Sequence, residues 1–128
     1  MSKLHALIID DNPNNIEVLA MLLTQENATY TAVQSLWHIE QTLDQVGNPD
    51  VIFLDLEFPN GDGFGLLKDL KADSRFNRIP IVAYSVRTGE FDRIREAGFD
   101  SFIGKPVNLQ NFPDQLRRIL NGEAVWEF

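Results

Sequence analysis

The sequence predicts an α/β fold, a doubly wound parallel sheet of five strands with helices on both faces. Three observations predict it. Five short apolar runs alternate with five longer segments of helical spacing. The first, third and fourth runs are nearly continuous in apolar residues, as strands covered on both faces must be. The 128 residues contain no linker, repeat or low-complexity stretch, so one domain is expected over 1–128, with 123–128 as a tail.

In chain order, the first strand is expected at Leu4–Ile9. Asn12-Pro13 then offers a cap and a first-turn proline to a helix striped by Ile16, Leu19, Ala20 and Leu23. Thr29–Val33 is the second strand, and Leu36, Ile39 and Leu43 stripe the second helix, with Trp37 and His38 expected to pack at its surface or edge. Val51–Leu54 is the third strand. Leu66, Leu67 and Leu70 follow as the third helix. Ile81–Tyr84 is the fourth strand, and Phe91, Ile94 and Ala97 mark a helix that Gly98 should end. Ser101–Ile103 is the fifth. The last helix carries Phe112, Leu116, Ile119 and Leu120 and should stop by Gly122. Pro113 would clash one turn back in a helix begun at Leu109, so the start is expected at Asn111 or Phe112. The two aromatics of the tail, Trp126 and Phe128, are expected to pack back on the domain.

Composition narrows the chemistry. The 11 Lys and Arg against 19 Asp and Glu leave a net charge of −8, which argues against nucleic-acid binding through a basic face. The absence of cysteine excludes a thiolate nucleophile, a Cys-ligated zinc and an iron–sulfur cluster. No secretory signal is legible, and the longest apolar run, Val18–Leu23, is far too short to span a bilayer. A cytoplasmic protein with no membrane contact is expected.

In a parallel sheet of this kind, ligands bind outside the C-terminal strand ends. There the sequence places Asp10 and Asp11, Asp55, Ser85, and Gly104-Lys105-Pro106. Three clustered carboxylates repel one another unless protonation or a cation relieves them. Hard oxygen donors without His or Cys suit Mg²⁺. A carboxylate held against Mg²⁺ and Lys can attack phosphorus, with the developing charge spread over metal, hydroxyl and ammonium. The chemistry that follows is phosphorylation of an aspartate.

These pieces resemble a known family. Ile8-Ile9-Asp10-Asp11-Asn12, Leu54–Gly63, Ile81–Ser85 and Gly98–Pro106, in that order and spacing, are similar to the receiver domain of two-component response regulators, of the stand-alone, chemotaxis type. The resemblance covers nearly the whole chain. It implies the flavodoxin-like strand order 2-1-3-4-5, with Asp55 as phosphoacceptor. Asp10, Asp11 and the backbone carbonyl of Glu57 would join Asp55 in holding Mg²⁺, with Mn²⁺ as a substitute. Ser85 and Phe102 would be the switch pair, Lys105 the phosphate partner, and the Lys105–Pro106 bond cis. Glu57, Val86 and Arg87 stand where the family tunes rates. Phe58 replaces the usual Met, and Val86 an Ala or Gly, which should narrow access for small phosphodonors. The resemblance also implies a histidine kinase or phosphotransfer protein as donor. With no output module after the fifth helix, the expected output is contact with a downstream protein through the fourth helix, fifth strand and fifth helix, unless the chain is a piece of a longer one.

Each residue also has a plainer reading. Asp10-Asp11 could cap the first helix, and Asp55 could be a turn residue before Pro59-Asn60-Gly61. Lys105 could be a solvated lysine, Ser85 a satisfied hydroxyl, and Phe102 ordinary core. Two rival functions remain. A small Mg²⁺-dependent phosphohydrolase would use Asp55 as nucleophile, with Glu57 where a general acid is wanted, but no segment is long enough for a substrate cap. A pseudo-receiver would only bind. The chain is expected as a monomer or weak homodimer, with Arg93, Arg95, Arg117 and Arg118 facing Asp92, Glu96 and Asp114 as possible cross-pairs.

Overall fold

A computed structural model describes residues 4–35, 37, 39–58, 63–86 and 89–127. Leu36, His38, the Pro59-Asn60-Gly61 turn, Arg87 and Phe128 lie outside the described residues.

The elements follow the predicted alternation: β1 (His5–Ile9), α1 (Pro13–Gln25), β2 (Thr29–Val33), α2 (Ile39–Val46), β3 (Val51–Asp55), α3 (Gly63–Ala72), β4 (Ile81–Ser85), α4 (Phe91–Ala97), β5 (Ser101–Gly104) and α5 (Phe112–Leu120). A short β6 (Trp126–Glu127) completes them. All strands are parallel, in the order 2-1-3-4-5 continued by β6. The five predicted strands and their order hold, and a sixth is added to them. The tail docks, and it does so as a sixth strand, paired through Phe102↔Trp126 and Ile103↔Glu127.

The period-2 alternation of the strands divides the core. Ala6, Ile8, Phe53, Val82 and Ile103 meet Ile16, Leu19 and Leu23 of α1 and Phe112, Leu116 and Ile119 of α5. Leu7, Ile9, Ile52, Leu54, Ala83 and Phe102 meet α2, α3 and α4 through Ile39, Leu43, Leu67, Leu70 and Ile94. β3 and β4 are buried along their whole length, which is why their sequences carry no polar face.

Local signals fix the ends of the helices. Asn12 caps α1, its side chain accepting from the Asn14 and Asn15 amides, with Pro13 in the first turn. Gly98 ends α4 with φ of 113°. Helix α5 begins at Phe112, after an Asx turn in which the Asn108 side chain accepts from the Gln110 and Asn111 amides. Trp37 is 92% exposed, on the surface rather than packed at an edge. No helix among the described residues is long and apolar enough to cross a membrane.

Candidate functional site

The C-terminal ends of β1, β3, β4 and β5 form one rim, and the topology brings residues far apart in sequence to it. Asp10 follows β1, Asp55 and Ser85 are the last residues of β3 and β4, and Lys105 follows β5. Asp11, Asn12, Asn15, Asp55, Glu57, Val86, Lys105 and Pro106 line a cleft of about 470 Å³. Carboxylate oxygens of Asp10, Asp11 and Asp55 lie within 4.8 Å of one another, with Asp10 and Asp55 buried and Asp11 exposed.

Lys105 is no solvated lysine. Its side chain is 10% exposed, and Nζ lies 3.1 Å from Asp55 Oδ1 and 3.4 Å from Asp10 Oδ2. The same ammonium sits 4.8 Å from the centre of the Tyr84 ring. The Lys105–Pro106 bond is cis, and the Lys105 amide donates to the Ser85 carbonyl at 2.9 Å.

The backbone holds the acids in place. The Asn12 amide donates to Asp10 Oδ1 at 2.8 Å, and the Glu57 amide to Asp55 Oδ1 at 2.9 Å. Capping of α1 falls to Asn12, so Asp10 and Asp11 are not needed for it. Gly63, at the start of α3, touches the end of β3. A Cβ there would meet Leu56 Cα at 2.8 Å and the Asp55 carbonyl oxygen at 2.9 Å. Only glycine permits that approach.

Electrostatically the rim is under tension. Burial, together with repulsion from Asp55, pushes the Asp10 carboxyl up to about 6, although the Asn12 amide and Lys105 act against it. Burial also raises Glu57, with its hydrogen bond to Asp55 adding to the effect. At Asp55 burial works the same way but is outweighed. Hydrogen bonds with the Glu57 side chain and amide, then the charge and contact of Lys105, hold this carboxyl below its ordinary range. Tyr84 is pushed up to about 12 by burial and by the charges of Asp10 and Asp55. Asp55 is thus the anion at the centre, flanked by acids that resist ionising beside it.

The buried Asp10 Oδ2 has no hydrogen-bond partner among the described residues. A buried carboxylate oxygen that accepts no hydrogen bond, and shares its one lysine with Asp55, fits a divalent cation with oxygen ligands. Asp10, Asp11 and Asp55 are the side chains that could hold it.

Two contacts carry no sequence signal. Ser85 Oγ donates to Glu57 Oε1 at 3.0 Å, so the Glu57 side chain takes part in the site as well as its backbone. Phe102 is fully buried and shares a three-ring cluster with Phe91 and Trp126, its ring centre 4.9 and 6.4 Å from theirs. Val86, 62% exposed, stands at the mouth of the cleft.

A wound parallel sheet with this acidic rim and its lysine defines a class of phosphorylation-linked signalling domains, and comparison with known proteins makes the assignment. Residues 6–117 match the response regulator receiver domain, and the chain belongs to that family. It is 28% identical over 121 residues to the polar-differentiation response regulator DivK of Brucella ovis, covering 92% of this chain and 96% of that protein. A putative response regulator from Chloroflexus aurantiacus superposes with a TM-score of 0.80 at 23% identity, covering 94% of this chain and 99% of that one. The receiver domain of the sensor histidine kinase PA1611 from Pseudomonas aeruginosa, with a magnesium ion coordinated in its active-site cleft, gives 0.79 at 23% identity and the same coverage.

Proposed function

We propose that this chain is a receiver that accepts a phosphoryl group on Asp55 and passes the signal on by changing its affinity for a protein partner. The observation that carries the reading is the acidic triad of Asp10, Asp11 and Asp55 with the Lys105 ammonium 3.1 Å from Asp55.

Asp10, Asp11, Asp55 and the Glu57 carbonyl would hold Mg²⁺, or Mn²⁺ in its place. When bound, the ion supplies positive charge for the phosphoryl oxygens. Asp55 is suited to attack because its neighbours keep it ionised at neutral pH. Its oxygen forms a bond to phosphorus while the P–N bond of a phosphohistidine donor breaks, and the electron pair leaves with the imidazole. Lys105 already lies against Asp55 and would follow the new negative charge. The Ser85 hydroxyl, now given to Glu57, would turn to a phosphoryl oxygen. The new charge, roughly −1.5 to −2 by analogy with other phosphorylated side chains, would thereby bias β4 and β5. Phe102 would carry the change to the face formed by α4, β5 and α5.

The donor would be a histidine kinase or phosphotransfer protein, in the cytoplasm, and the recipient a protein effector. A monomer or weak homodimer is expected. The arginines offered above as cross-pairs have partners within their own chain, Arg93 with Glu90, and Arg117 and Arg118 with Asp114. Phosphorylation and hydrolysis at Asp55 would be self-catalysed, with no turnover of outside substrates.

The raised Glu57 carboxyl beside Asp55 is the one observation favouring the phosphohydrolase. Beryllofluoride with Mg²⁺ tests the receiver reading. Wild-type protein should form a stable adduct that Asp55→Asn cannot form, and phosphomonoesters should not be turned over. Repeated turnover would favour the enzyme, and no Mg²⁺-dependent adduct would favour a pseudo-receiver.

A further inference from the structure

The segment after α5 lies beyond residues 6–117, the stretch shared with the family. It nevertheless makes a specific set of contacts along β5. The Phe102 amide donates to the Val125 carbonyl, and the Val125 amide to the buried Ser101 Oγ at 2.9 Å. Val125 is buried in the core under α5. Trp126 stacks on Phe102 with ring planes 9° apart, meets Phe91 edge-on at 5.8 Å, and lies under the Arg95 guanidinium at 4.6 Å. Glu127 pairs with Arg118 at 2.8 Å and accepts from Gln115 Nε2 at 3.0 Å. Gln115 is itself 2% exposed, a buried amide on α5 that reaches this acid.

Backbone pairing with pockets for successive side chains is how a sheet edge binds an extended peptide. Here the edge offers an apolar slot for one residue, an aromatic and cationic slot for the next, and a cationic slot for the third. The occupant is only two residues long as a strand, and its charged contacts are made at a partly solvated surface where such pairs are weak. Removing it without replacement would uncover Phe102, so what replaces it must have like chemistry.

We propose that the edge of β5, walled by α4 and α5, is a peptide-binding groove for an extended partner segment carrying an apolar, an aromatic and an acidic residue in succession, and that Val125–Glu127 occupies it as a displaceable placeholder. The partner strand takes over the Phe102 and Ser101 hydrogen bonds, its aromatic residue replaces Trp126 between Phe102 and Arg95, and its acid replaces Glu127 on Arg118. A positively charged segment is refused by Arg95 and Arg118.

The test uses a fluorescein-labelled peptide of residues 122–127 and the full chain, without phosphodonor or Mg²⁺, so that failure here leaves the phosphoacceptor reading untouched. Fluorescence anisotropy should show the peptide binding Trp126→Ala/Glu127→Ala protein at least about tenfold more tightly than wild type. The same peptide with its Trp replaced by Ala, or its Glu by Lys, should lose that binding. Equal binding to both proteins, or none to a double variant whose circular dichroism is native, overturns the proposal. Should the double variant not fold, seating is read in Arg118→Glu on a Trp37→Phe background, where acrylamide quenching of the remaining tryptophan, Trp126, should rise and fall back when Glu127→Arg is added. Quenching that stays at the wild-type level in Arg118→Glu also overturns it.

Discussion

Two acidic clusters in this molecule are built from similar parts and behave in opposite ways. On the surface, Arg75 joins Asp73 and Asp44 at 2.7 and 2.9 Å, and also reaches the Leu43 carbonyl. Every charge there has a partner and water around it, and the guanidinium holds Asp73 below its usual range. At the rim, three acids and Glu57 share one lysine, two of the acids are buried, and one carboxylate oxygen has no hydrogen bond. There Asp10 and Glu57 are driven up. Acids paired at a solvated surface are easier to ionise, whereas acids crowded at a buried rim carry an uncompensated electrostatic cost, as groups at functional sites commonly do.

The largest expected effect breaks the rim outright. Asp55→Asn keeps the shape and removes the proposed nucleophile, so phosphoryl incorporation should be lost completely, as read by intact mass. Asp10→Asn then exposes the stored cost. The folded carboxyl titrates near 6 and the unfolded one near 3.8, so the folded state binds the extra proton between those values. Metal-free stability should therefore fall as pH rises from 3.8 to about 6, and the penalty is complete at pH 7. Asn keeps the acceptor for the Asn12 amide and removes the charge. Denaturant unfolding of Asp10→Asn at pH 7 should show stabilisation of up to about 3 kcal/mol without metal. Mg²⁺ should raise the melting temperature of wild type and not that of the variant. No equivalent gain is expected at the surface cluster, where Asp44→Asn should leave the melting temperature nearly unchanged.

Smaller effects sharpen the contrast. Gly63→Ala forces a methyl group into the end of β3 and should cost about 1–3 kcal/mol in denaturant unfolding while slowing phosphorylation. Val86→Ala opens the mouth of the cleft, and the rate with a small phosphodonor should rise, while phosphotransfer from a protein donor changes less. An unchanged small-donor rate would mean that Val86 does not restrict access.

Much of this was legible in the sequence, for physical reasons. The core strands announce themselves because burial on both faces demands unbroken apolar runs, as in Val51–Leu54. Asn12-Pro13 and Gly98 mark helix ends because capping chemistry is local. The rim acids were found because a parallel sheet gathers its C-terminal strand ends. What escaped depends on contacts without a sequence period. A two-residue strand such as β6 has no alternation to detect, and its partners Ser101 and Gln115 read as ordinary polar residues. The Ser85–Glu57 hydrogen bond joins two strand ends through side-chain rotamers that no spacing encodes. Trp37 looked like packing material because tryptophan usually is, yet it is 92% exposed.

The most direct test is mass spectrometry of the chain after incubation with a phosphohistidine donor. The account predicts one phosphoryl group, mapped to Asp55, formed with Mg²⁺ and lost when the metal is chelated. Incorporation that survives in Asp55→Asn, or that proceeds equally without a divalent cation, would contradict it.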